Sequence, residues 1–138
     1  MRDRYLFRGK RTDSGEWVYG GVLQTDKWTD IPIVKDYEGN INEPPSYYVE
    51  SHEVIAETVG QYIGFNDKNG TRIFEGDIVN DEQSGYNYFI KWFPEYACFS
   101  LADKNGNMEF GCDEFEIFLD DLIVIGNIYD NPEFLKGE

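Results

Sequence analysis

The stretch from Thr58 to Asp81, TVGQYIGFNDKNGTRIFEGDIVND, most constrains what this chain can fold into. A short apolar run enters the polar segment Asn66-Asp67-Lys68-Asn69-Gly70, and a second run, Arg72–Phe74, leaves it. Asn and Gly accept positive φ at low cost, so the pattern is that of a β-hairpin. The chain then kinks at Glu75-Gly76-Asp77 and resumes as a strand over Asp77–Asn80. Gly76 is expected to turn the chain sharply enough for Asp77 to accept hydrogen bonds from the turn's backbone amides. The stretch fixes β-architecture and carries no recognisable chemistry.

The rest of the chain agrees with this reading. Arg4–Arg8 and Glu16–Leu23 flank the turn signal Thr12-Asp13-Ser14-Gly15 and predict an N-terminal hairpin, its second strand interrupted at Gly20-Gly21. Residues 26–51 are irregular and hold Pro32, Pro44 and Pro45. Ile31–Val34 is expected there as a short edge strand, because Pro32 has no donor to offer a sheet centre. Tyr47–Val49 is expected as another short strand, and Glu57–Ile63 as the strand entering the hairpin. Tyr86 to Trp92 alternates, with Tyr86, Tyr88, Ile90 and Trp92 on one face and Asn87, Phe89 and Lys91 on the other. Tyr96–Leu101 returns antiparallel to it. Asp103-Lys104-Asn105-Gly106 repeats the four residues of Asp67–Gly70 with unrelated flanks, which marks reused turn chemistry. Leu122–Tyr129 predicts a strand that is apolar on both faces for half its length. Glu133–Glu138 is a tail with one short helical turn. No long stretch has a period of 3.6, and turns every eight to twelve residues suggest a sandwich or small barrel. Ten Phe, ten Tyr and three Trp supply a core suited to strands.

Charge narrows the functions. The formal net charge is -15. Residues 1–24 hold five cations against three anions, so the other 114 residues carry -17. Binding nucleic acid directly requires Lys and Arg to displace counterions from phosphates, and most of this chain repels them. An acidic surface suits solubility, a basic protein partner, or mimicry of a phosphate backbone. The N-terminus has no apolar signal-peptide core, and the longest apolar run, Leu122–Ile125, is far below the ~20 residues a membrane helix needs. A cytoplasmic protein without a membrane segment is expected. Cys98 and Cys112 match no metal-ligand spacing and are expected as half-buried free thiols.

Candidate chemistry is sparse. His52 is the only histidine, and its neighbours Ser51 and Glu53 point to the opposite face of an extended chain, so adjacency builds no relay. Asp103–Glu114 places acceptors at positions 1, 3, 5 and 12 of a calcium loop, but Met108 stands where such a loop needs glycine. A hairpin turn is the better account. No phosphate-binding glycine loop and no cofactor motif is present. Tyr37, Tyr47 and Tyr48, among the prolines, are the residues singled out for a protein interface.

Several blocks carry a family likeness. They are Phe7-Arg8-Gly9, Trp17-Val18-Tyr19-Gly20, Thr58–Gly64, Asp67–Gly70, Ile73–Val79, and Ile125-Gly126-Asn127-Ile128-Tyr129-Asp130-Asn131-Pro132 with Leu135. In these the chain resembles the YopX-like proteins, small proteins of bacteriophages and prophages. The resemblance implies an N-terminal β-rich or α+β part and a C-terminal SH3-like small barrel. We place the N-terminal hairpin and irregular insert at residues 1–56 and the barrel at 57–138. It implies no activity, cofactor or catalytic residue. Trp17, Tyr62, Phe74 and Tyr129 are expected in the core. The leading expectation is therefore a mainly β, non-enzymatic phage or prophage accessory protein that binds a protein of the host or phage. The alternatives are an acidic nucleic-acid mimic occupying a DNA-binding protein, and a metal-dependent or hydrolytic enzyme. Exposed barrel edges also make a homo-oligomer an expectation.

Overall fold

A computed structural model describes residues 6–21, 23–24, 29–35, 48–111, 114 and 119–136. The chain is mainly β, and every strand pairing among the described residues is antiparallel. It divides into two compact units, Met1–Gln61 and Tyr62–Glu138.

The first unit begins with the hairpin of β1 (Phe7–Lys10) and β2 (Trp17–Gly20), in which Phe7 faces Gly20 and Lys10 faces Trp17. Gly21 interrupts the second strand, as the glycine pair predicts, and the chain resumes in β3 (Leu23–Gln24). β4 (Thr29–Lys35) lies between β3 and β5 (Tyr48–Val54). Pro32 thus stands in a middle strand, a correction to the edge assignment. It is tolerated because β3 pairs only Thr29 and Asp30, so no described ladder flanks that side of β4 at Pro32.

The end of β5 meets the end of β1. The Ile55 amide donates to the Lys10 carbonyl at 2.8 Å, and the Thr12 amide to the Glu53 carbonyl at 3.1 Å. Gly9 is required by this approach, since a Cβ there would lie 3.0 Å from the Cβ of buried Val54. A short 3-10 helix, Ala56–Thr58, occupies the start of the strand expected over Glu57–Ile63. The hydroxyl of buried Thr58 holds that turn, donating to the Ile55 carbonyl at 2.6 Å and accepting from the Lys10 amide at 2.9 Å. β6 (Gly60–Asn66) then opens beside β1 through Gly60 and Gln61.

In the second unit the remainder of β6 pairs with β7 (Arg72–Phe74). A four-stranded sheet follows in the order β10 (Cys98–Ala102), β9 (Asn87–Phe93), β8 (Asp77–Asp81), β11 (Leu122–Asn127). Its core is Ile73, Val79, Tyr88, Ile90, Leu101 and Leu122. Each such side chain contributes about 1.5–3 kcal/mol on burial.

Two patterns depart from the sequence reading. Tyr88 and Ile90 are buried, but Trp92 on the same face is 40 % exposed, because it stands at the strand's end and packs on its cross-strand partner Phe99 rather than in the core. Ile125, expected inside a strand buried on both faces, is 38 % exposed. A β-bulge between Val124 and Gly126 takes it out of register with β8.

Among the expected core aromatics, Tyr62 and Phe74 are buried with ring centroids 5.7 Å apart, while Trp17 and Tyr129 are half-buried. The Arg8 guanidinium lies 4.6 Å from the Trp17 ring centre, a cation–π contact that covers one face of the indole.

Candidate functional site

The carboxylates most deeply placed in the second unit are structural. Gly70 has φ +83, and the turn it closes is organised by buried Asp67. Asp67 Oδ1 accepts from the amides of Asn69 and Thr71, both at 2.9 Å, and Oδ2 accepts from the Val124 amide of β11 at 2.9 Å. Gly76 has φ +89, and Asp77 Oδ2 accepts from the Phe74 amide at 2.7 Å, the arrangement the sequence predicts. Asp81 Oδ1 accepts from the Gln83 amide at 3.0 Å, and its Oδ2 from the Ser84 hydroxyl at 3.0 Å.

The blocks around Gly76 and Asn127 meet. The Ile128 amide donates to the Gly76 carbonyl at 2.9 Å, and a Cβ on Gly76 would lie 3.1 Å from the Tyr129 ring. Asn127 Oδ1 accepts from the amides of Tyr129 and Asp130 at 3.0 and 2.9 Å. Gly126 leaves room for Asn131, whose Oδ1 would lie 2.5 Å from a Cβ there. These residues are scaffold.

Asp103–Gly106 is the same turn again. Asp103 Oδ1 accepts from the amides of Asn105 and Asn107 at 2.9 and 3.0 Å, and Gly106 has φ +83. Reused turn chemistry therefore explains the repeat. It also removes the calcium-loop reading, since β10 rather than a helix leads in and Asp103 Oδ1 is taken by backbone amides. Among the described residues no three His, Cys, Asp or Glu side chains are grouped to hold a metal ion.

This second turn borders a cleft of about 340 Å³ lined by Tyr86, Asn87, Tyr88, Asp103, Lys104, Glu109 and Leu135. Each wall has a local cause. After the turn the chain runs back along β10, with Ala102 facing Met108 and the Glu109 amide donating to the Leu101 carbonyl at 3.0 Å. That return carries Glu109 to the cleft. Lys91 Nζ donates to the Gly106 carbonyl at 2.9 Å and pins the turn. Tyr88 packs edge-on against Phe110, centroids 5.9 Å apart. Asn87 Nδ2 donates to the Phe134 carbonyl at 2.8 Å and brings the 3-10 helix Pro132–Leu135, hence Leu135, alongside β9. Tyr86 is 56 % exposed at the rim. Burial, reinforced by the charge of Glu109, holds the Tyr88 phenol above its ordinary pKa, so it stays protonated.

The chain matches the family model described as YopX protein over residues 6–136. The chain belongs to the YopX family. No curated protein matches this YopX-family chain.

Of the residues singled out in the sequence, Tyr37 and Tyr47 lie outside the described residues. Tyr48 begins β5 opposite Lys35, and its side chain lies outside them too. His52 is half-buried on β5 opposite Ile31. Cys98 is half-buried on β10 and disulfide-bonded, which corrects the expectation of two free thiols. Spacing alone does not show thiol proximity. After the second turn the chain returns along β10, where the Ser100 hydroxyl donates to the Phe110 carbonyl at 3.0 Å. Cys112 lies outside the described residues. The cleft was not foreseen. Its one signal in the sequence was the second Asp-Lys-Asn-Gly, close behind the Tyr86/Tyr88 pair of one face.

Among the described residues no helix is long and apolar enough to cross a membrane.

Proposed function

We propose that this YopX-family protein is a non-enzymatic phage or prophage accessory module that binds another protein. One observation carries the reading: the second unit presents a cleft with an exposed tyrosine at its rim, whereas the buried carboxylates Asp67, Asp77 and Asp81 are engaged in holding turns. Tyrosine at a rim supplies contact area at low entropic cost, and interfaces favour it. A net charge of -15 selects a basic partner and speeds its encounter. The SH3-like barrel that the resemblance implies for the C-terminal part fits the same role by analogy of fold.

The experiment is an affinity pull-down from host and phage-infected lysate at low and high salt. We expect a specific partner whose capture weakens in Tyr86→Ser or in the combined Tyr37→Ser, Tyr47→Ser, Tyr48→Ser variant. No enriched protein from a folded sample overturns the reading. A DNA-binding protein released by competing DNA would favour the nucleic-acid mimic instead.

A further inference from the structure

The two Asp-Lys-Asn-Gly turns are internal controls for each other. In both, Oδ1 of the aspartate takes the amides two and four residues ahead, and the glycine has φ +83. They differ at the second carboxylate oxygen. Asp67 Oδ2 accepts the Val124 amide at 2.9 Å, whereas Asp103 Oδ2 accepts from no described residue, and Asp103 lines the cleft. The carboxylate of Glu109, exposed on the same lining, forms no hydrogen bond or ion pair with a described residue. Two carboxylates thus face the cleft against the single ammonium of Lys104, beside the rings of Tyr86 and Tyr88.

Carboxylates next to aromatic rings select a flat cation that can donate in the plane and stack on its face. Guanidinium does both, while the compact ammonium of lysine offers no stacking plane. A cleft of about 340 Å³ is at the small end of ligand pockets and suits one long side chain rather than a folded segment.

We propose that the cleft takes an arginine side chain of the protein partner, its guanidinium received by Asp103 and Glu109 and stacked against Tyr86. This deepens the protein-binding reading and rests on it. The cleft can fail while the pull-down still finds a partner, and the two failures are then distinct.

The test is amide-resolved NMR titration of the full chain with N-acetyl-arginine amide, N-acetyl-lysine amide, N-acetyl-leucine amide and free arginine. We expect saturable shifts at Tyr86, Asn87, Tyr88, Lys104 and Glu109 with the capped arginine, weaker ones with lysine, and none with leucine. Asp103→Asn keeps the Oδ1 acceptor and Glu109→Gln keeps the side chain's size, so both variants should retain the wild-type melting temperature. Each should weaken capped arginine about fivefold, as should added salt. The assignment is overturned by no saturable shift, by an equal response to leucine or lysine, or by unchanged affinity in the double variant. Free arginine binding more tightly than the capped form would mark a small-molecule site and also overturn it.

Discussion

At the scale of single residues, the same side chain does unequal work in the same local setting. Asp67→Ala strands three amides, one of them on β11, and should cost about 3 kcal/mol in a urea melt. Asp103→Ala frees two amides on an exposed turn and should cost about 1 kcal/mol. Equal losses would contradict the distinction. Ala97 is the one described non-glycine residue with positive φ, +51, in the turn between β9 and β10. Left-handed backbone costs an alanine roughly 1 kcal/mol, so Ala97→Gly should raise stability by about 0.5 kcal/mol after glycine's entropy is counted. Tyr88 gives a pH signature. Its folded pKa is raised, so the unfolded chain ionises first, and stability should fall as pH rises past the ordinary phenol value of 10.0. Absorbance of the phenolate against pH, with denaturant melts across the same range, checks the sign. Tyr88→Phe should flatten that part of the profile.

At the scale of elements, turns were legible in the sequence and bulges were not. The hairpin at Asp67–Gly70, the kink at Gly76 and the repeat at Asp103–Gly106 all rest on chemistry local to four or five residues. The exposure of Ile125 depends on a bulge against β8, a strand more than forty positions earlier, and no local pattern encodes it. Trp92 likewise follows perfect alternation, yet its burial is decided by where the hairpin outruns the core. The cleft is a product of three returns of the chain, at Tyr86, Glu109 and Leu135, so only its turn could be read in advance. The disulfide at Cys98 belongs to this scale too. Reductant should lower stability by about 2–4 kcal/mol, and alkylation before reduction should leave Cys98 unlabelled. Full labelling of Cys98 in the untreated protein would refute the bond.

At the scale of the whole molecule, charge works against compactness. A net charge of -15 on 138 residues makes the folded chain repel itself, and salt screens that repulsion over about 10 Å at 0.1 M. The melting temperature should therefore rise between 10 and 300 mM salt, roughly the range over which that screening develops; a fall would mean that attractive pairs dominate. One feature of the second unit also bears on how the chain is made. Asp67 waits for an amide 57 positions later, and the Gly76 carbonyl waits for Ile128. Ribosomes add about 5–20 residues per second, so the strands β7 and β8 stand without β11 for several seconds after they emerge. Their apolar faces are then open to one another on neighbouring nascent chains. The acidic residues scattered along the same stretch keep such chains apart, which makes the charge that strains the finished protein a safeguard during its birth.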